Sequence, residues 1–271
     1  MIQEVTTQHA TVTVYTDTFN KRIRIDDYSG ELNEVLIIIN RQLAHWVEKL
    51  IVKSRAADLP FFMAQGFSAE GFIKGYFSGA DMHFVSMYFS AGRERSEKWY
   101  EEQSLIQKLV TDKRVSEPPS TKGIRVASFS QANDLARLYK TIFKIYPTPL
   151  HDEGYIIRTL QEGTVYAYME SDHRIVSAAS AEINWKHKNV ELTDCATLPE
   201  AEGQGHMKKL LFFLEQKLRT EGITCCYSLA RAASFSMNKV FAQLDYTYGG
   251  RLINNCFIFT GLEDMNVWYK T

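Results

Sequence analysis

The chain has 271 residues, 45% hydrophobic and 23% charged, with 31 Lys and Arg set against 32 Asp and Glu for a net charge of −1. That balance excludes a chain that binds nucleic acid by phosphate neutralisation alone, and the apolar fraction excludes a disordered one. At roughly 150 residues per domain the length predicts two domains. The opening segment MIQEVTTQHATVTVYTD carries neither a basic leader nor an apolar block of signal length. The most apolar run, Val35 to Ile39, is far shorter than the ~20 residues of a membrane helix. Cys195, Cys225, Cys226 and Cys256 lie in apolar segments without C-x-x-C spacing, which predicts reduced core residues of a cytoplasmic protein with no metal site.

In chain order, ELNEVLIIINRQLAHWVEK places Leu32, Val35, Leu36, Ile39, Leu43 and Trp46 on one helical stripe, and LIVKS follows as a strand. A second helix is expected over SEKWYEEQSLIQKLV. The stretch TDKRVSEPPSTKG is charged, contains Pro118-Pro119 and is nearly free of apolar residues, which predicts a linker over 111–123 between domains 1–110 and 124–271. Beyond it IRVASF reads as a strand and Ser130 as the cap of a helix carrying Leu135, Leu138, Ile142 and Phe143. A proline-rich loop, a short helix near 155–160, and strands TVYAYME, RIVSAASAEINW and NVELTDCAT come next. HMKKLLFFLEQKLRTEG is an amphipathic helix closed by Gly222. TCCYSLA, SFSMNKVFAQL, YTYGGRLI and NCFIFT then predict strand, helix and a closing pair of strands. The second domain thus reads β-α-α-β-β-β-α-β-α-β-β.

A strand, a G-x-G loop and a long helix together form a phosphate cradle: glycines let the backbone approach, and unpaired N–H groups at the helix start point at the anion. Here the loop is Leu198-Pro199-Glu200-Ala201-Glu202-Gly203-Gln204-Gly205-His206-Met207. With the element order around it, the region from Gly123 to Thr271 resembles the GNAT superfamily of acetyl-CoA-dependent N-acetyltransferases. That resemblance implies a mixed α/β sheet and acetyl-CoA as cosubstrate. It also implies pyrophosphate binding by the Q/R-x-x-G-x-G/A loop, matched at Glu200 to Gly205 with Glu200 in place of Gln or Arg and Glu202 in place of a common Arg. Two carboxylates there weaken anion binding unless they turn outward, and His206, Lys208 or Lys209 can offset them.

ELTDCATLPE, LARA, GRLINNCFI, LEDMNVW and YPTPLHDEGYI are further similar to the β-lysine N-acetyltransferases. This implies a small-molecule amine substrate, with neither nucleic acid nor membrane as partner, and is compatible with a homodimer. Acetylation of lysine or a polyamine, and a non-catalytic CoA-binding or amino-acid-sensing module, are the alternatives.

The family resemblance makes Glu191 the first candidate for general base. Asp194, three residues on, points to the other face of a regular strand unless a bulge turns it, and is the candidate anchor for a second ammonium. The resemblance assigns the thioester-polarising N–H to Thr197 or Leu198, and further CoA contacts to Ser234 and Asn238. It sets Phe241 where many members carry a tyrosine acid, leaving Ser234 or Ser236 to assist, or the thiolate, with a pKa near ~8.5, to depart unprotonated. A zwitterionic substrate calls for a forked cation, expected at Arg231 and Arg251. Asn254 and Asn255 are unusual in a strand and suggest contact with a ligand or a bulge, Tyr146 is placed to close over the substrate, and His151 and His187 read as surface residues.

There is also an internal echo. SRAADLPFFMAQGFSAEGF (54–72) parallels ARAASFSMNKVFAQLDYTYGGR (230–251), and GADMHFVSMY parallels LEDMNVWY. Residues 12–88 therefore read as a degenerate GNAT half that lacks G-x-G, binds no CoA and walls the substrate cleft.

Overall fold

A computed structural model describes residues 2–111 and 114–271. The first half contains β1 (Ile2–Thr6), β2 (Ala10–Asp17), β3 (Arg22–Gly30), α1 (Leu32–Gln42), β4 (Lys49–Arg55), α2 (Leu59–Ala64), β5 (Ser68–Phe77) and β6 (Ala80–Tyr88). Helices α3 (Ala91–Glu94) and α4 (Trp99–Thr111) lead out of it. The second half contains β7 (Ile124–Val126), α5 (Ala132–Ile142), α6 (Glu153–Gln161), β8 (Val165–Ser171), β9 (Arg174–Asn184), β10 (Asn189–Thr197), α7 (His206–Thr220), β11 (Cys225–Arg231), α8 (Phe235–Gln243), β12 (Thr247–Ile258) and β13 (Gly261–Lys270). The order β-α-α-β-β-β-α-β-α-β-β is the expected one. Of the expected linker, residues 112 and 113 lie outside the described residues.

All strands belong to one sheet, ordered β1-β2-β3-β4-β6-β5-β12-β13-β11-β10-β9-β8-β7. With β7 set aside, this order is unchanged when β1–β6 and β8–β13 are exchanged. Pairing directions follow the same symmetry: β3–β4 and β10–β11 are parallel, and their flanking pairs are antiparallel. The registers agree as well. Arg24 pairs with Ile51 and Tyr15, as Glu191 pairs with Tyr227 and Glu182; Arg55 faces Met82, as Arg231 faces Met265. Arg24 and Glu191 thus hold equivalent positions in the two halves.

The halves meet where β5 and β12 pair at Gly71 and Gly250. A Cβ on Gly250 would lie 2.5 Å from the Glu70 carbonyl, and its φ of +120° disfavours any L side chain; a Cβ on Gly249 would lie 2.2 Å from the Phe72 carbonyl. Behind this contact Lys49 and Glu70 form an ion pair at 2.8 Å with side chains 0% and 3% exposed. The pair is hydrogen-bonded throughout: Lys49 Nζ donates to the Ile253 carbonyl at 2.7 Å, and Ser86, Tyr88 and the Ile253 N–H donate to Glu70. Full satisfaction is what lets charges remain at such depth.

Alternation along the strands separates the layers. On β8, Tyr166 and Tyr168 pack with α5 and α6, while Ala167 faces the α7 side. Leu210, Leu211, Leu214 and Leu218 line one stripe of α7, all buried, each contributing roughly 1.5–3 kcal/mol by leaving water. A separate core joins the halves, with Ile51, Ile73, Met82 and Phe84 against Tyr227, Leu252, Met265 and Val267.

Two local expectations are corrected. Ser128, not Ser130, caps the helical segment before α5: it forms a reciprocal capping box with Gln131. The segments YTYGGRLI and NCFIFT are one strand, β12, and its hairpin partner is LEDMNVWYK in β13. The strand continues through Asn254 because that residue adopts a left-handed φ of 43° within an irregular stretch of the ladder.

Candidate active site

β10 and β11 are paired only over Asn189–Glu191 and Cys225–Tyr227. Beyond those residues a cavity of about 570 Å³ opens between them, bounded by β10, β11, the loop before α7, and α8. Thr193, Asp194, Thr197, Gly203, Gly205 and Arg231 are among its lining residues, as are Tyr146, Ser234 and Met237.

Gly203 and Gly205 adopt φ of 74° and 72°, and Gly205 is the N-cap of α7. Neither would meet an obstacle with a Cβ, so backbone conformation, not space, selects glycine here. The first turn of α7, whose N–H groups have no partner within the helix, lines the cavity mouth. His206, Met207 and Lys208 line the same end, and Lys239 lines the α8 side. His206 is held below the usual imidazole range by burial and by Lys209. Glu200 turns away to Arg174 at 3.3 Å, and its carbonyl accepts from Gln204 Nε2 at 3.4 Å; Glu202 stays on the lining. The cradle, the cations and the cavity size fit acetyl-CoA, with Glu202 the one carboxylate of the loop that opposes it.

The thioester end is set by β10. Leu198 N–H donates to the Val176 carbonyl at 2.8 Å, so it is committed to the sheet and not free to polarise a carbonyl. Thr197 pairs with Ser177 between two hydrogen-bonded residue pairs, which leaves its N–H on the opposite edge, toward the gap.

A bulge lies between Thr193 and Ala196, where Asp194 takes φ of 51°. It rotates the Asp194 carboxylate onto the face of Ser180, whose hydroxyl donates to it at 2.7 Å; the Tyr146 hydroxyl is its second partner. Burial pushes Asp194 up to about 6 against these two bonds, and the Glu191 charge pushes the same way. Glu191 shares that face but lies deeper in the seam, accepting from the Tyr227 hydroxyl at 3.0 Å. Its direct cross-strand partner is Glu182, a carboxylate no motif pointed to. Period-2 alternation along AEINW was its only sequence signal. Glu182 reaches solvent yet is largely enclosed. That enclosure and the neighbouring Asp194 and Glu191 charges push it up to about 8, against Arg24 and Lys53.

Several expected site residues lie elsewhere. Arg251 is buried away from the cavity, donating to Asn266 Oδ1 at 3.0 Å, the Trp99 carbonyl at 3.3 Å and Gln103 at 3.4 Å, with Glu102 at 3.6 Å. Asn238 spends its side chain on the Arg231 and Ser234 carbonyls and on Asn266 and Trp268, so it anchors α8 and β13 instead of a cofactor. Asn254 Nδ2 donates to the carbonyls of Gly92, Arg93 and Arg95, tying α3 to the sheet. Asn255 lines a narrow cleft at the seam with Arg24, Glu191 and Tyr227. Ser234 lines the cavity but caps α8 through the Met237 N–H. Arg231 lines the cavity, paired to Glu263 at 3.1 Å and stacked over Phe259. Phe241 packs against Tyr246 and Trp268 in the core, leaving Tyr146 as the tyrosine on the lining. His187 is not a surface residue: it is buried beside Phe77 and meets Asp27 at 2.9 Å, joining the halves.

The sequence profile of the acetyltransferase (GNAT) family matches residues 132–246. An N-acetyltransferase named YodP from Bacillus subtilis is 40% identical, the match covering 100% of this chain and 99% of that protein. Beta-lysine N(6)-acetyltransferases of Methanosarcina mazei and Methanococcus maripaludis are 36% and 33% identical. Those matches cover 76% and 83% of this chain, and 84% and 82% of those proteins. Carried by a glycine loop on α7, splayed strands β10 and β11, and relatives that extend over both halves, the chain belongs to the GNAT family of acetyl-CoA-dependent N-acetyltransferases.

Proposed function

We propose that this enzyme acetylates the side-chain amine of a small amino acid, β-lysine in particular, in the cytoplasm. The observation that carries this reading is a cluster of three mutually interacting carboxylates, in which Asp194 lines the cavity and Glu191 and Glu182 stand behind it on the same face of the sheet. Three carboxylates on one face call for more than one ammonium, and the names of two relatives agree. Acetyl-CoA supplies the activated acyl group.

An alkylammonium of pKa near ~10.4 must lose a proton before it attacks. Asp194, on the lining and poised near neutrality, takes that proton, the role expected from sequence of Glu191. Glu191 and Glu182 hold the second ammonium. Thr197 N–H polarises the acyl carbonyl as the neutral amine attacks it; the C–N bond forms, the C–S bond breaks, and the departing CoA thiolate takes up the proton that Asp194 removed, passed on through the Tyr146 hydroxyl hydrogen-bonded to Asp194. In this reading residues 1–110 are a cofactor-free copy of the fold, 124–271 the catalytic copy and 111–123 the join.

The test is thiol release from acetyl-CoA by purified protein with β-lysine, lysine, spermidine or no amine. Saturable release with β-lysine is expected. CoA binding without release for any amine would overturn the reading in favour of a sensor.

A further inference from the structure

We propose that the carboxylate of the substrate is held by Arg24, on β3 of the N-terminal half, so that the half without a glycine loop supplies substrate selectivity. The inference rests on the amino-acid acetyltransferase reading and adds a residue to it.

Arg24 is the counterpart of Glu191 in the register shared by the two halves, and the two face one another across the seam, lining one narrow cleft. Its Nε and Nη2 grip Asp26 at 2.6 and 3.1 Å, and the guanidinium stacks on Tyr15, 4.9 Å from the ring centre. No described residue accepts a hydrogen bond from its Nη1. The neighbouring cation is already committed: Lys53 Nζ lies 2.8 Å from Asp26 and 3.0 Å from the Tyr76 hydroxyl. Arg24 is therefore a held, permanently charged fork with one edge open, the form that suits a carboxylate.

Asn255 lines the same cleft, is 3% exposed, and leaves its Oδ1 without a partner among the described residues. An unmet acceptor beside Glu191 makes the floor of the cleft polar and electronegative, which favours a cationic group at its mouth. The cleft itself holds about 10 Å³, too little for an amino-acid head, so the head sits at its mouth, where Tyr15, Arg24 and Glu182 reach solvent. The C-terminal wall is acidic and the N-terminal wall presents one free cationic edge. A molecule with an amine at one end and an ammonium next to a carboxylate at the other satisfies both walls.

The experiment compares β-lysine with 1,4-diaminopentane, the same skeleton without the carboxylate, on the full-length enzyme and on Arg24→Gln and Arg24→Lys. Turnover is read by thiol release and binding by calorimetry with CoA present. Arg24→Gln is expected to raise KM and Kd for β-lysine by about 10- to 100-fold, the worth of charge-assisted bonds, while kcat and the constants for the diamine hold within about threefold. Arg24→Lys, a point charge without the fork, recovers part of the loss. Unchanged CoA affinity shows that the variants are folded. Equal loss for both ligands, no loss for β-lysine, or equal or absent binding of both ligands by the unmodified enzyme overturns the assignment. Failure of turnover with β-lysine binding intact and Arg24-dependent overturns the proposed reaction and leaves the Arg24 contact standing.

Discussion

Glu182 and Glu191 are direct cross-strand partners on β9 and β10, two carboxylates on one face with Asp194 turned toward them by a bulge. Like charges placed opposite one another destabilise a sheet, so this arrangement costs stability when no cation is bound.

That cost has a pH signature. Burial and the neighbouring carboxylates push Glu182 up to about 8 and Asp194 up to about 6, and burial beside Asp264 pushes Glu102 up to about 8. Between roughly pH 4 and 8 the folded protein therefore binds more protons than the unfolded chain, and stability falls as pH rises through that window. Scanning calorimetry of the ligand-free protein is expected to show Tm falling from pH 5 to 8, with Glu182→Gln flattening the fall. A Tm that rises over this range would contradict the cluster.

If Asp194 removes the proton, Asp194→Asn lowers kcat/KM by about 10²- to 10⁴-fold with CoA affinity retained. The acid limb of the wild-type pH profile, expected near pH 6, disappears in the variant. A limb that survives in Asp194→Asn but is lost in Glu191→Gln would return the base to Glu191.

The two loop carboxylates separate cleanly. Glu202 lines the cofactor end and Glu200 is paired outward with Arg174. Glu202→Gln is expected to tighten CoA binding by about 2- to 10-fold, less so at high salt, while Glu200→Gln changes it little. Titration calorimetry at two ionic strengths distinguishes them.

The seam tolerates no side chain at Gly250. Gly250→Ala places a methyl carbon against the Glu70 carbonyl at φ of +120°, and a loss of about 2 kcal/mol or more in chemical denaturation is expected.

Much of this was readable from residue patterns. The order of elements in the second half, the glycine loop and the repeated helix-strand-helix-hairpin all leave periodic or motif signals. Pairing partners do not. Period-2 alternation says that Glu182 and Glu191 lie on a strand face, not that they are neighbours, and an arginine such as Arg251 looks the same in sequence whether it meets a ligand or four groups of a distant helix and strand. Asn254-Asn255 interrupts the β-propensity of the segment and so reads as a break, whereas a left-handed residue whose side chain donates to three carbonyls lets β12 run on.

The continuous sheet has one more consequence. Backbone pairing at Gly71 and Gly250, a shared core and the Lys49–Glu70 pair weld the acidic and basic walls into a single body. Such jaws do not swing shut on a ligand; they work as a fixed caliper. With Arg24 and Asp194 in the roles proposed above, the reach between them is a built-in length, and an amino acid one methylene longer or shorter is expected to offer the same charged groups yet touch only one end.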